Sequence, residues 1–319
     1  MSSPMDWLSR LLDMMPVGGH LDLRCSYGAP WRIDQPASEE GEIAYHVVIA
    51  GSAVLEDPAG GPPQHLRTGD LLMFMHPVAH VLHDESGAPA MPSRERAGLN
   101  LVISENKGRG ERLDLLCGRF VLTPLHYRLL RDYLPAKVVV HAGSHEEARS
   151  DTSAQLAGLV SLMRIESASE SLGGRALLNG LSAAMFALAL RLASEDKQAP
   201  TGLLSLAGYP RLAPALGAMF QNPARSWTLP ALAQLCNMSR ATMARQFQEK
   251  LGRSASELLA DIRMTKAASE LKNTTASTGT IGEAAGYQSE AAFQRAFKQK
   301  IGVTPAQWRK ARAPLVSDR

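Results

Sequence analysis

Two stretches in the last third of the chain repeat one pattern, a short apolar helix, a tight turn and a second helix with an apolar stripe and a polar flank. That repetition constrains the fold more than any other feature. In the second stretch, Gly286-Tyr287-Gln288-Ser289-Glu290-Ala291-Ala292-Phe293-Gln294-Arg295-Ala296-Phe297 runs on into Gly302-Val303-Thr304-Pro305. Phe293, Ala296, Phe297 and Ile301 recur at helical spacing and cover one face, while Gln294, Arg295, Lys298 and Lys300 fall largely outside it. In the first stretch, Leu229 to Leu235 predicts a short helix and Cys236-Asn237-Met238 a turn. Ser239 then caps a helix that turns Met243, Phe247 and Leu251 inward and leaves Arg240, Thr242 and Arg245 off the stripe. Between the two, Ser254 to Lys272 predicts one amphipathic helix of about 28 Å at 1.5 Å per residue, approaching the roughly 34 Å between successive turns of a DNA major groove. Two adjacent groove readers have this form. The expected partner is double-stranded DNA, and the candidate contacts are Arg240, Thr242, Arg245, Glu290, Gln294, Arg295 and Lys298.

Charge divides the chain in the same place. Residues 209–312 carry nine net positive charges against +3 for the whole, so the remainder is acidic by six. A basic end of this size suits a phosphate-facing surface.

The order SRATMARQF, KLG, IRMTKAASEL, GYQSEAAFQRAF and IGVTPAQWR resembles the DNA-binding domain of the AraC/XylS family of bacterial regulators, over about the last hundred residues. The resemblance implies RNA polymerase as a further partner. One segment departs from the family pattern: Ser277-Thr278-Gly279-Thr280-Ile281-Gly282-Glu283 has Thr278 and Gly282 where the family places apolar residues. Two glycines in a short helix cost about 1 kcal/mol each relative to alanine, which predicts a less rigid second unit.

The first 125 residues have a different texture. After a short amphipathic helix with Trp7, Leu8, Leu11, Leu12 and Met15 on one face come apolar segments at Ile43 to Ala50, Ala53 to Glu56, Leu71 to Met75, Leu99 to Ser104 and Leu113 to Leu122, separated by Gly, Pro and Asp clusters. Short strands without intervening helices predict a small antiparallel barrel, so the expected fold class is α+β. Gly69 to His80 resembles the second motif of cupin barrels, and with Tyr45 to Gly51 and the opening MDWLSRLL it is similar to the cupin-type sensor carried by one branch of AraC-like regulators.

Cupin enzymes hold a divalent metal with a His-x-His pair, a carboxylate and a later histidine. Here His80 stands in the later position, but His46 is flanked at two residues by Ala44 and Val48, leaving His46 and His80 as the candidate metal ligands. That depleted set predicts a regulator rather than an enzyme, with a regulatory divalent metal as one alternative for the cofactor and no cofactor as the other.

Three cysteines argue against a disulfide framework. Cys236 falls in the first helical turn and reads as structural. Cys25 and Cys117 both belong to the barrel, and RCSYGAPW and LLCGRF resemble the surroundings of two sensing cysteines in a reactive-chlorine-responsive branch of the family. The resemblance implies redox roles for Cys25 and Cys117, and Arg24 and Arg119 stand near enough in sequence to favour thiolates. A small organic ligand in the barrel stays open beside oxidant and metal as the effector.

From about 148 to 195 the pattern is helical, with Leu156, Leu159, Val160 and Met163, then Leu177, Leu178, Leu181, Met185, Leu188, Ala189 and Leu192 in broad stripes. Those stripes suit either a homodimer surface or packing on the barrel. Ser194 to Gly202 reads as a linker. The expected order is a sensor domain at 1–147, a helical linker and dimerisation region at 148–202, and the DNA-binding domain at 203–319. No run approaches eighteen apolar residues and no basic leader opens the chain, which predicts a cytoplasmic protein without membrane contact.

Overall fold

Short, mostly apolar segments between residues 18 and 141 build eleven strands among the described residues of a computed structural model, which are 6–141, 150–196 and 201–311. The strands are β1 (Gly18–Gly28), β2 (Arg32–Gln35), β3 (Glu42–Ala50), β4 (Ser52–Glu56), β5 (Gln64–Arg67), β6 (Asp70–Phe74), β7 (His80–His83), β8 (Ser93–Ala97), β9 (Val102–Asn106), β10 (Arg112–Val121) and β11 (Lys137–His141). One sheet runs β11-β6-β3-β10-β1-β9-β8 and the other β2-β7-β4-β5. Every pairing is antiparallel except β1 with β9, a parallel pair outside the antiparallel expectation. Strands β1, β3 and β10 are the long ones, and β3 is buried along nearly its whole length. Between the sheets lie Cys25, Tyr27, Trp31, Val48, Leu55, Leu72, Phe74, Leu82, Leu115 and Cys117.

Helices α1 (Trp7–Met14) and α2 (Pro124–Tyr133) flank most of the barrel in sequence; α3 (Asp151–Ser167) and α4 (Gly174–Glu195) follow it. The last third contributes α5 (Leu203–Ala207), α6 (Ala213–Gln221), α7 (Leu229–Leu235), α8 (Arg240–Leu251), α9 (Ala255–Asn273), α10 (Thr278–Ala284), α11 (Glu290–Ile301) and α12 (Pro305–Lys310). Side-chain caps start nearly all of the readers' helices: Thr228, Ser239, Ser254, Ser277, Ser289 and Thr304 each accept a backbone N–H from the first turn.

Contacts group these elements into two units that interleave along the chain. Val17–Leu122 and Pro135–Asp196 form the barrel unit, whereas Met1–Pro16, Thr123–Leu134 and Lys197–Arg319 form the helical unit. The expected blocks ran consecutively; here α1 and α2 belong with the DNA-binding helices and α3 and α4 with the barrel. Packing explains both placements. The α1 ring of Trp7 lies 6.3 Å from Phe220 of α6, and Leu125 of α2 shares a core with Met264, Phe293 and Phe297. On α4, Asn179 Oδ1 accepts the Leu21 amide at 3.2 Å and Ser182 Oγ lies 2.8 Å from Tyr45 Oη, while the Phe186 ring stands 4.8 Å from Phe120.

Two boundaries shift for local reasons. The segment expected at Leu99 to Ser104 pairs only from Val102, because Leu99 is exposed and Gly98 closes a turn by donating to Leu101. Ser194 and Glu195 end α4 rather than open a linker, and residues 197–200 lie outside the described residues, as does the start of MDWLSRLL. By length and composition α4 is the one described helix apolar enough to cross a membrane, with a mean hydropathy of 1.6. Its Leu178, Met185, Phe186 and Ala189 are buried within the barrel unit.

Candidate nucleic-acid interface and sensor centre

The two readers are built to one plan, fifty residues apart. Helix α8 spans Arg240–Leu251 and α11 Glu290–Ile301; both have a serine N-cap, Ser239 and Ser289, and a left-handed glycine at the C-terminus, Gly252 and Gly302. Burial repeats position by position from 241–250 to 291–300. Met243 and Phe247 correspond to Phe293 and Phe297, all fully buried, and Arg245 corresponds to Arg295, both exposed. The preceding turn also matches, with positive φ at Asn237 in one unit and Gly286 in the other.

The candidate contacts divide by what already holds them. Arg240, Arg295 and Lys298 are exposed and make no ion pair among the described residues. Arg245 lies 3.8 Å from Glu249 one turn on, an exposed pair worth little. Glu290 Oε1 accepts from Gln294 Nε2 at 2.9 Å, so these two present a joined polar surface. Thr242 is partly withdrawn, since its hydroxyl lies 2.9 Å from the capping Ser239 hydroxyl. Lys300 points elsewhere, to the buried carboxylate of Asp261 on α9.

The glycine departure in α10 has a packing cause. A Cβ on Gly282 would lie 2.9 Å from Phe293, so its absence lets α10 and α11 approach closely. Cys236 is buried at the end of α7, and burial pushes its thiol up, as suits a structural cysteine.

In the barrel, strand register brings four of the other candidate residues together. Cys117 on β10 pairs directly with His46 on β3 and with Leu23 on β1, which sets Cys25 diagonally across from it on the same face. Both thiols lie in the same buried core on neighbouring strands. His46 Nδ1 lies 3.1 Å from Cys117 Sγ, and His46 Nε2 lies 2.7 Å from His80 Nε2, which reaches in from the facing sheet. His80 Nδ1 is 3.1 Å from the Val78 carbonyl and stacks on Phe74 at 4.0 Å.

That carbonyl fixes the protons. Val78 O only accepts, so His80 carries its proton on Nδ1, its bare Nε2 accepts from His46 Nε2–H, and His46 Nδ1 is left to accept from Cys117. Burial holds both rings neutral, lowering His80 and taking His46 down to about 3. Proximity to Cys117 lowers the Cys25 thiol below its ordinary value, and proximity to Cys25 together with burial keeps Cys117 well above. Cys25 therefore ionises first.

Arg24 and Arg119 give no such help, contrary to expectation. Arg24 makes a paired contact with Asp114, at 2.5 and 2.9 Å, and Arg119 binds Asp22 and Glu42 at 2.8 and 3.1 Å.

A divalent metal on His46 and His80 does not fit this geometry. Two nitrogens on one tetrahedral ion at about 2.0–2.1 Å stand roughly 3.3 Å apart, whereas these share a proton at 2.7 Å. Cys117 meets the opposite edge of the His46 ring, and among the described residues no three His, Cys, Asp or Glu side chains could hold a metal ion.

A two-sheet barrel joined to a pair of equivalent helix-turn-helix units defines a DNA-binding regulator with a separate barrel unit. Residues 6–195 match the Cupin family and residues 232–311 the helix-turn-helix domain family. The chain belongs to the AraC family of transcriptional regulators, in its cupin-bearing form, and its helix-turn-helix domain binds DNA. It is 30% identical to the HTH-type transcriptional regulator MtrA of Neisseria gonorrhoeae, over 96% of this chain and 98% of that one. It is 28% identical to an uncharacterised HTH-type regulator of Haemophilus influenzae, over 96% and 99%, and to the RCS-specific HTH-type transcriptional activator RclR of Escherichia coli, over 96% and 97%.

The neutral His46 carries a pH dependence. An unfolded imidazole takes its proton near 6.5, whereas the folded one resists to about 3, so acid favours the unfolded chain. Stability is full above about 6.5 and falls toward about 3 by up to roughly 1.4 kcal/mol per pH unit. Thermal melts at about pH 7 and about pH 5 should show a larger drop for the parent than for His46→Gln; equal drops would assign the acid sensitivity to other groups.

Proposed function

We propose that the protein is a sequence-specific transcriptional activator, acting in the cytoplasm with RNA polymerase, whose barrel senses a two-electron oxidant through Cys25 and Cys117. The observation that carries the reading is the placement of Cys25 and Cys117 diagonally across paired strands in one buried core, with Cys25 the more readily ionised of the two. The name of the relative RclR, an RCS-specific activator, points the same way.

With hypochlorous acid the chemistry balances in two steps. The Cys25 thiolate gains an S–O bond as the O–Cl bond breaks and chloride leaves, giving a sulfenic acid. Cys117 sulfur then attacks Cys25 sulfur, the S–O bond breaks, and hydroxide leaves as water with the Cys117 proton. The thiols lose two electrons and the oxidant gains them. Oxidised protein should show an intramolecular Cys25–Cys117 disulfide, two hydrogens lighter on peptide mapping, with DNA affinity changing in step. A DNA-binding response that survives Cys25→Ala would sink the reading and leave a small ligand in the barrel as the effector.

On the DNA side, the exposed Arg245 and Arg295 occupy equivalent positions and are assigned to base edges or flanking phosphates, with Arg240, Thr242, Glu290, Gln294 and Lys298 around them. Loss of a base-reading arginine costs about 1–3 kcal/mol. Titration of a selected duplex should therefore weaken about 5- to 150-fold in Arg245→Ala and in Arg295→Ala; unchanged affinity in both removes the assignment.

Exposed Leu162, Ile165, Leu172 and Leu177 on the α3–α4 hairpin support a homodimer face. Light scattering should report a dimer for the parent and a monomer for the Leu162→Asp, Ile165→Asp double variant. A monomeric parent would end that assignment.

A further inference from the structure

Helix α2 is in the wrong place for a piece of the barrel. It falls within the stretch matching the Cupin family, it begins at Pro124, seven residues after Cys117 on β10, and it returns the chain to β11. Yet all of its residues belong to the helical unit. Leu125 sits in one core with Met264, Ala267, Ala268 and Leu271 of α9, Ile281 of α10, and Phe293 and Phe297 of α11. No residue of α7 or α8 is in that core.

The far end of α2 is tied by charge. Tyr133 Oη donates to Asp261 Oδ2 at 2.6 Å, and Arg128 Nη1 donates to the Lys300 carbonyl at the end of α11 at 2.9 Å. Asp261 is 5% exposed, on α9, and takes Lys300 Nζ on its other oxygen. Arg253, 3.8 Å from Asp261, lies 4.9 Å over the Tyr133 ring. A buried carboxylate needs its partners, since a lost one leaves charge uncompensated. Asp261 thus clamps three things at once: α2 through Tyr133, the second recognition helix through Lys300, and the loop after the first through Arg253.

We propose that α2 is the arm by which the barrel unit sets the order of the second reader, and that Asp261 is the catch that holds it. Val121, Leu122 and Thr123 join β10 to α2 without slack: Leu122 donates to Gly41 within the barrel unit, and Thr123 is already the α2 cap. A displacement of β10 is passed to α2, and α2 supplies part of the wall on which α10 and α11 pack. The second reader is the one suited to such control. Its α10 is a seven-residue helix with glycines at 279 and 282, stabilised by what it packs on rather than by its own propensity. This inference holds whatever the barrel senses, so it stands or falls apart from the thiol chemistry.

Hydrogen exchange on the full-length chain tests it. Tyr133→Phe removes one hydrogen bond to a charged group without changing shape, and Arg128→Ala cuts the second tie at the surface. Each should speed exchange in α10 and α11 by roughly 10- to 100-fold while α7 and α8 keep their parental rates. In the parent, adding a duplex selected from a random pool by the full-length protein should slow exchange in α2, β10 and β11 but not in β4 and β5, because coupling between sites is reciprocal. In Tyr133→Phe that distant protection should shrink while protection of α8 persists. Unchanged α10 and α11 in both variants, equal acceleration of both readers, or DNA that leaves α2 and β10 unprotected would each overturn the proposal.

Discussion

The pairing of β10 with both β1 and β3 is the interaction on which the rest depends. Ten consecutive residues, Arg112 to Val121, pair with β1 in the middle of the larger sheet, and eight of them, Asp114 to Val121, pair with β3 on the other side as well. That register puts Cys117 opposite His46 and diagonal to Cys25. It also ends where α2 begins. One strand therefore carries Cys117, opposite His46, and the exit from the barrel.

The readers were legible in the sequence because helical periodicity and large residues coincide there. Phe247, Phe293 and Phe297 are too big to be anywhere but a core, their spacing names the face, and the polar remainder follows. The barrel was legible as texture, with β3, β4, β6 and β10 within a residue or two of their expected bounds. The cupin resemblance singled out His80, and alternation, which puts Ala44, His46 and Val48 on one face, left His46 as its partner. What stayed hidden depends on partners far away in sequence. A polar strand such as β8, exposed throughout, has no apolar alternation to betray it. The fate of Arg24 and Arg119 turned on Asp114, Asp22 and Glu42, which sequence proximity to the cysteines could not show. Helix α2 is ten residues with a proline near its start, and nothing local says which unit will take it.

The two readers are alike in backbone plan and unlike in reinforcement. The first starts with Leu229-Pro230, a proline in the first turn that presets the helix, whereas the second starts with threonine and glycine. Close contact of Gly282 with the Phe293 ring replaces the apolar side chain usual at that position, trading helix propensity for a tighter crossing. The aromatic row Tyr287, Phe293, Phe297 and Trp308, with neighbouring rings 5.5–6.4 Å apart, is the counterweight within that half.

Because the units interleave, the backbone passes between them four times, after Pro16, Leu122, Leu134 and Asp196. A single cut cannot separate them into finished pieces. A fragment beginning at residue 203 lacks the Trp7 that meets Phe220 and the Leu125 that completes the α9–α11 core, and a fragment ending at 147 takes both away from their seats. Exchanging the barrel for another would therefore carry α1 and α2 along with it, and the receiving helices would need to offer Trp7 and Leu125 the seats they have here.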